Sequence, residues 1–136
     1  MKTSQVNITD LKVEKQNKVD ALITSCKVFF AFSNEQFTSN MPTLEEGDKI
    51  VSMGAGGYLP KSQVQNWIDG MDAIGKWYKG ATKSIKLRKQ NIAYELSNHE
   101  AYYTGDISDT LDALGEDYTR AEVLEVFYKE RRKQAA

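Results

Sequence analysis

A chain of 136 residues with an ordinary apolar share is long enough to form a folded core without disulfides or metal ions. Its single cysteine, Cys26, excludes an intramolecular disulfide, and its apolar neighbours indicate a buried, inert thiol. No apolar run approaches the ~20 residues that span a bilayer, and the first residues lack the apolar stretch of a signal peptide. We therefore expect a soluble cytoplasmic protein that folds as a single domain over residues 1–136, with flexible ends at 1–7 and 133–136.

Charge is unevenly distributed along the chain, although the net charge is only −1. All charged residues at positions 76–89 are basic, whereas all of those at positions 95–125 except Arg120 are acidic. The acidic half could imitate a phosphate backbone, or it could hold ordinary carboxylates that favour helix dipoles.

The basic run contains lysines spaced three and four apart that would line one face of a continuous helix beside Trp77: Lys76, Lys79, Lys83 and Lys86. Such a face can neutralise phosphates, and an aromatic neighbour can stack on bases. The sequence pI of 5.9 does not favour nucleic acid as the main partner. A solvated helix face is the alternative interpretation.

The first predicted elements are a helix and a strand. Apolar residues at helical spacing predict a helix over residues 8–26, with Thr9 or Asp10 as its N-cap. The nearly continuous apolar run 27–33 predicts a strand that is covered on both faces and lies in the middle of the sheet.

A short helical turn from Ser33 or Asn34 and a connection come next. Residues 48–53 predict a second strand. The glycine run that follows, Gly54-Ala-Gly-Gly57, is expected to make a tight turn before a helix; it lacks the full pattern of a phosphate-binding loop.

The next predicted helix begins after Ser62 as N-cap and carries apolar residues three and four apart. Over residues 86–97 the periodicity fits a strand or a helix equally. A short helix over residues 107–114 should end at Gly115. Thr119 and Glu122 form a capping box that begins the last helix.

The densest polar and aromatic cluster lies around the sole histidine: Glu95, Asn98, His99, Glu100, Tyr102, Tyr103 and Asp106. On a helix Glu95 and His99 would lie four apart on one face, where a carboxylate could orient an imidazole or share a metal ion. A metal site normally needs three or four protein ligands, which this cluster does not offer in an obvious way. The favoured interpretation is that His99 anchors a turn. We therefore predict no metal, no cofactor and no catalytic residue.

Two segments together resemble a family of small uncharacterised proteins encoded by bacteriophages and bacterial mobile elements. These are Phe29-Phe-Ala-Phe-Ser-Asn-Glu-Gln-Phe37 and Tyr94-Glu-Leu-Ser-Asn-His-Glu-Ala-Tyr-Tyr-Thr-Gly-Asp106. The glycine run, Tyr58 and the capping box fit the same pattern, so the resemblance covers residues 28–128. It implies an accessory protein in the host cytoplasm that binds and inhibits a host protein, including proteins of defence systems, and it assigns no catalytic residue.

These observations predict an α+β fold with a small antiparallel sheet of two to four strands packed against several helices. We expect Trp67, Met71 and Ile74 to cover the sheet, with Leu124 and Phe127 added by the last helix. The favoured function is a binding protein with a protein partner rather than an enzyme. A nucleic-acid-binding protein and a small enzyme or metal site around His99 remain alternatives, and the amphipathic helices leave room for a homodimer.

Overall fold

The computed structural model describes residues 7–135, and these residues form an α+β fold with a three-stranded antiparallel sheet, as predicted. The elements in chain order are α1 (Ile8–Ser25), β1 (Phe29–Phe30), α2 (Asn34–Asn40), β2 (Ile50–Gly54), β3 (Gly57–Pro60), a 3₁₀ turn (Lys61–Gln63), α3 (Val64–Ala81), α4 (Ile85–Asn98), α5 (Ala101–Thr104), α6 (Ser108–Leu114) and α7 (Arg120–Ala135). Of the ends expected to be flexible, residues 1–6 and 136 lie outside the described residues, and residues 133–135 continue α7.

The chain divides into two compact units, which we describe separately. Among the described residues, the α+β unit comprises Lys12–Lys79, and the helical unit comprises residues 7–11 together with residues 80–135. The expectation of a single domain stays a prediction. None of the described helices is both long enough and apolar enough to cross a membrane.

The sheet of the α+β unit has the strand order β1-β3-β2. The two residues between β2 and β3, Ala55 and Gly56, both have positive φ angles, as a tight hairpin turn requires. The glycine run therefore joins two strands and does not lead into a helix. The prediction missed β3 because Gly57, Tyr58 and Pro60 together indicate a turn rather than a strand.

β1 was wrongly predicted in two respects. It lies at an edge of the sheet, because the unpredicted β3 takes the central position. It is also not covered on both faces. Phe29 packs with Phe37 of α2 and Tyr58 of β3 at ring distances of 5.6 Å each, whereas Phe30 is 46% exposed and Phe32 is 76% exposed.

Phe29 and Tyr58 lie on one face of the sheet, and the buried part of the other face forms the core of the α+β unit. Cys26, Val28 and Leu59 are buried there. Packed against them are Leu22, Ile23, Val51, Val64 and Trp67, which come from α1, β2 and α3. Trp67 covers the sheet as predicted, and Cys26 is buried as predicted.

The helical unit has its own core, with buried residues from α4, α5, α7 and the N-cap position of α6: Ile92, Leu96, Ala101, Ile107, Val123, Val126 and Phe127. Phe127 and Leu124, which were predicted to cover the sheet, belong instead to this core of the helical unit. Residues 86–97 are helical, since buried Asn91, Ile92, Glu95 and Leu96 recur with the period of a helix. The helix over 107–114 and its end at Gly115 are confirmed.

Helix starts were predicted with mixed success. The capping box is confirmed, because the Glu122 amide donates to Thr119 Oγ1 at 3.1 Å and the Thr119 amide donates to Glu122 Oε1 at 3.2 Å. Ser33 caps α2 as expected. At α1 the cap is Asn7, whose Oδ1 accepts from the Asp10 amide at 2.9 Å.

Candidate functional site

The polar cluster of the helical unit is centred on one pair of side chains. His99 Nε2 lies 3.3 Å from Glu95 Oε2, within ion-pair distance but without a hydrogen bond between the two atoms. Glu95 is only 8% exposed. Its main-chain carbonyl accepts from the His99 amide at 3.0 Å and from Thr110 Oγ1 at 3.3 Å. The predicted spacing of four residues is therefore realised at the end of α4, where His99 is the C-cap.

The other members of the cluster have different surroundings. Tyr102 stacks on Phe127 with a ring distance of 5.6 Å. Asp106 Oδ1 accepts from the Ser108 amide at 2.9 Å at the start of α6, and this backbone hydrogen bond lowers the pKa of Asp106. Tyr103 is 93% exposed, Asn98 is the exposed last residue of α4, and Glu100 has a positive φ of 56° between α4 and α5.

The chemistry available to this cluster is that of one imidazole and one carboxylate. A metal ion needs at least one more ligand, and no group of three or more His, Cys, Asp or Glu is placed to hold one in the part of the chain that the structure describes. The contacts at Glu95 and Asp106 instead tie α4 to α6 and cap a helix. They fit the interpretation of His99 as a turn anchor.

The predicted basic face does not lie on one helix. α3 ends at Ala81 and α4 begins at Ile85, and Ser84 Oγ caps α4 by accepting from the Leu87 amide at 3.2 Å. Lys76 and Lys79 therefore belong to α3, Lys83 lies in the connection and Lys86 belongs to α4. Ser84 is an N-cap residue within the lysine run, and it indicates that a new helix begins there.

A second basic surface was missed by the sequence analysis. In the α+β unit, three lysines of α1 place their ammonium groups over two aromatic rings of α3. Lys12 and Lys15 lie 5.6 and 4.4 Å from the centroid of the Tyr78 ring, and Lys18 lies 4.6 Å from that of the Trp77 ring. We call these five residues the lysine–aromatic cluster. The spacing of the lysines by three was visible in the sequence, but their partners are some sixty positions away.

An exposed apolar surface surrounds the β2–β3 hairpin. A Cβ atom at Gly57 would lie 3.4 Å from the Phe30 ring and 3.7 Å from Met53 Cβ, and one at Gly56 would clash with the Phe32 ring. Phe30, Phe32 and Met53 therefore gather around the two glycines. We call these three residues the hairpin patch.

A polar cleft of about 460 Å³ lies in the same unit, with Asp48 and Ser62 among its lining residues. Ser62 Oγ donates to Asp48 Oδ2 at 2.5 Å, and the Ser62 amide donates to Oδ1 at 3.2 Å. The side-chain bond from Ser62 is the main reason why the pKa of Asp48 is lowered. Ser62 was predicted as an N-cap, but here its own amide, in the first turn after β3, donates to the carboxylate of Asp48.

Comparison with known proteins places the chain in a family without assigning an activity. No curated protein and no solved structure matches the chain. One family model matches residues 11–133, which include every site described above. The chain therefore belongs to DUF7659, a family of unknown function.

Proposed function

We propose that this protein is a non-catalytic accessory protein that binds and modulates another protein by direct contact. On the resemblance described above, we place it in the cytoplasm of a bacterial host, encoded by a phage or mobile element, with a host defence protein as its partner. The observation that carries the proposal is the hairpin patch.

The hairpin patch adjoins the apolar sheet face that α1 and α3 cover, at the end of that face which neither helix covers. Gly57 and Leu59 are two residues apart on β3, so both face the same side of the sheet. Leu59 is buried in the core of the α+β unit, whereas Phe30 and Met53, beside Gly57, are exposed. The same face is therefore covered at one end of β3 and exposed at the other.

The composition of the hairpin patch suits a protein partner. Aromatic residues and methionine are enriched in the centres of protein–protein interfaces. Burying a phenylalanine side chain completely contributes about 1.5–3 kcal/mol, so Phe30 and Phe32 can act as anchors for an apolar surface of the partner. By contrast, the Glu95–His99 pair is engaged in local contacts of α4.

The experiment compares capture of proteins from bacterial host lysate by the wild type, by Phe30→Ser/Phe32→Ser, and by Ile85→Ser. Ile85 is 74% exposed on α4 of the helical unit and serves as the matched control. We expect the wild type and the control to capture the same protein at a stoichiometric level and the double variant to lose it. Circular dichroism of all three proteins is the control for folding.

Two results would contradict this proposal. One is capture that survives in the double variant. The other is a wild-type homodimer, measured by light scattering, that dissociates in the double variant, because the hairpin patch would then be an interface between copies of this chain.

A further inference from the structure

The lysine–aromatic cluster has the geometry of a row of fixed positive charges. Lys12, Lys15 and Lys18 are spaced by three residues on α1, so successive side chains are displaced by about 4.5 Å along the helix axis. Each ammonium group lies over a ring of α3. Contact with an aromatic face restricts a flexible lysine side chain and leaves ammonium protons directed away from the ring.

The local charge of this surface matters more than the net charge of the chain. Charges farther apart than about 8–10 Å are largely screened at physiological ionic strength. An anion at these lysines therefore experiences mainly the charges of α1 and α3, and the acids Glu14 and Asp20 of α1 offset part of the positive charge. The net charge of −1 and the sequence pI sum over the whole chain, so they do not describe the charge of this one surface.

A groove adjoins one end of the lysine row. It has a volume of about 510 Å³ and is lined by Lys18 and Trp77 and by small or apolar residues of both helices, among them Ala21, Leu22 and Ala73. Lys18 and Trp77 thus belong both to the basic row and to an open apolar surface. A ligand that occupies both must combine repeated anionic groups with flat apolar groups.

We propose that the α1–α3 surface binds single-stranded nucleic acid, with phosphates on Lys12, Lys15 and Lys18 and an unstacked base in the groove beside Trp77. A single strand presents both groups at once, whereas a duplex keeps its bases stacked. The lysines already cover one face of each ring, so binding depends on the phosphate backbone and shows little preference among bases. This site is separate from the hairpin patch and independent of the proposed protein partner.

The test is a fluorescence anisotropy titration of the full chain with a labelled mixed-sequence 20-nucleotide single strand at several salt concentrations. Three phosphate contacts predict that log K falls with log salt concentration with a slope of about −2. Lys12→Gln/Lys15→Gln/Lys18→Gln should weaken binding about tenfold or more at low salt and flatten the slope. The matched control, Lys83→Gln/Lys86→Gln/Lys89→Gln, makes the same change in net charge and should bind as the wild type does.

Four outcomes would overturn the proposal. The first is no binding at 50 mM salt or below, and the second is an equal loss in both triple variants, which would indicate a general charge effect. The third is duplex DNA binding as tightly as the single strand. The fourth is polyglutamate competing as well as unlabelled single strand, which would make an acidic protein the ligand.

Discussion

At the scale of single residues, Tyr102 shows how a member of the polar cluster serves the fold. Its ring stacks on Phe127, and its buried hydroxyl makes no hydrogen bond with the described residues. Burial is the main reason why its pKa rises to about 12, and the negative charge of Glu130 adds to the effect. A buried hydroxyl without a partner costs stability, so the favourable contribution of Tyr102 comes from its stacked ring.

Tyr102→Phe removes the hydroxyl and keeps the stacked ring. We expect the free energy of unfolding at pH 7 to increase by up to about 1 kcal/mol, measured by urea denaturation. The folded pKa lies above the ordinary value of 10.0. Ionisation of Tyr102 therefore leaves the free energy of unfolding unchanged below pH 10 and lowers it as pH rises towards 12. Tyr102→Phe cannot ionise there, so it should lose less stability than the wild type over that interval. Tyr103→Phe, at a fully solvated position, should change neither quantity; a Tyr102→Phe protein less stable than the wild type would contradict the account.

Arg88 and Glu122 form the best-connected ion pair of the helical unit. Arg88 Nε and Nη2 donate to the Glu122 carboxylate at 3.0 and 2.8 Å, and Nη2 also donates to the Asp117 carbonyl at 2.6 Å. The side-chain bond to Arg88 is the main cause of the lowered pKa of Glu122. The pair therefore joins α4 to the capping box at the start of α7.

Glu122→Gln keeps a capping residue but removes the charge. We expect a loss of about 1 kcal/mol in the free energy of unfolding at pH 7, because the pair is partly solvated. Because the pKa of Glu122 is lower in the folded state, its charge increases the free energy of unfolding above pH 4.5. That contribution is lost as pH falls through the folded pKa. The variant should therefore show a smaller decrease in stability between pH 6 and pH 3 than the wild type. Glu125→Gln on the exposed side of α7 is the control, and equal acid profiles for all three proteins would refute the assignment.

At the scale of elements, the contact of α1 with α3 depends on Gly70. A Cβ atom at Gly70 would lie 2.5 Å from Leu22 Cδ1, whereas one at Gly75 would have no atom within 4 Å. Both glycines lie inside α3, where alanine is favoured by about 0.5–1 kcal/mol.

Gly75→Ala and Gly70→Ala are therefore predicted to have opposite effects. Gly75→Ala should stabilise the protein by about 0.5–1 kcal/mol. Gly70→Ala should destabilise it by about 1–3 kcal/mol, because Leu22 must move. Thermal and urea unfolding of the two variants measure this difference, and stabilisation by both would show that α1 does not approach α3 at Gly70.

The elements that the sequence predicted are those with strong local signals. The spacing of Glu95 and His99, the capping box and the glycine after α6 all act within a few residues, so their outcome could be anticipated. β3 could not, since its glycines and proline mask a short strand whose stability comes from pairing on both sides. The break before Ile85 was predictable from Ser84 but was obscured by the regular lysine spacing.

At the scale of the whole molecule, the two surfaces that carry our proposals were not evident from sequence. The hairpin patch depends on where α1 and α3 stop covering the sheet, and an apolar run such as 27–33 does not reveal which of its faces is covered. The lysine–aromatic cluster joins α1 to the distant end of α3 within the α+β unit. Both result from tertiary packing, whereas the predicted polar cluster results from local helix geometry.

The central claim is that the hairpin patch contacts another protein. Photo-crosslinking tests it most directly, with p-benzoylphenylalanine replacing Phe32 in one variant and Ile85 in another, both expressed in bacterial host cells. The account predicts one discrete crosslinked species from position 32 that contains a different protein, and none of that species from position 85. The same crosslinks from both positions, or no crosslink from position 32 while the protein stays folded, would contradict it.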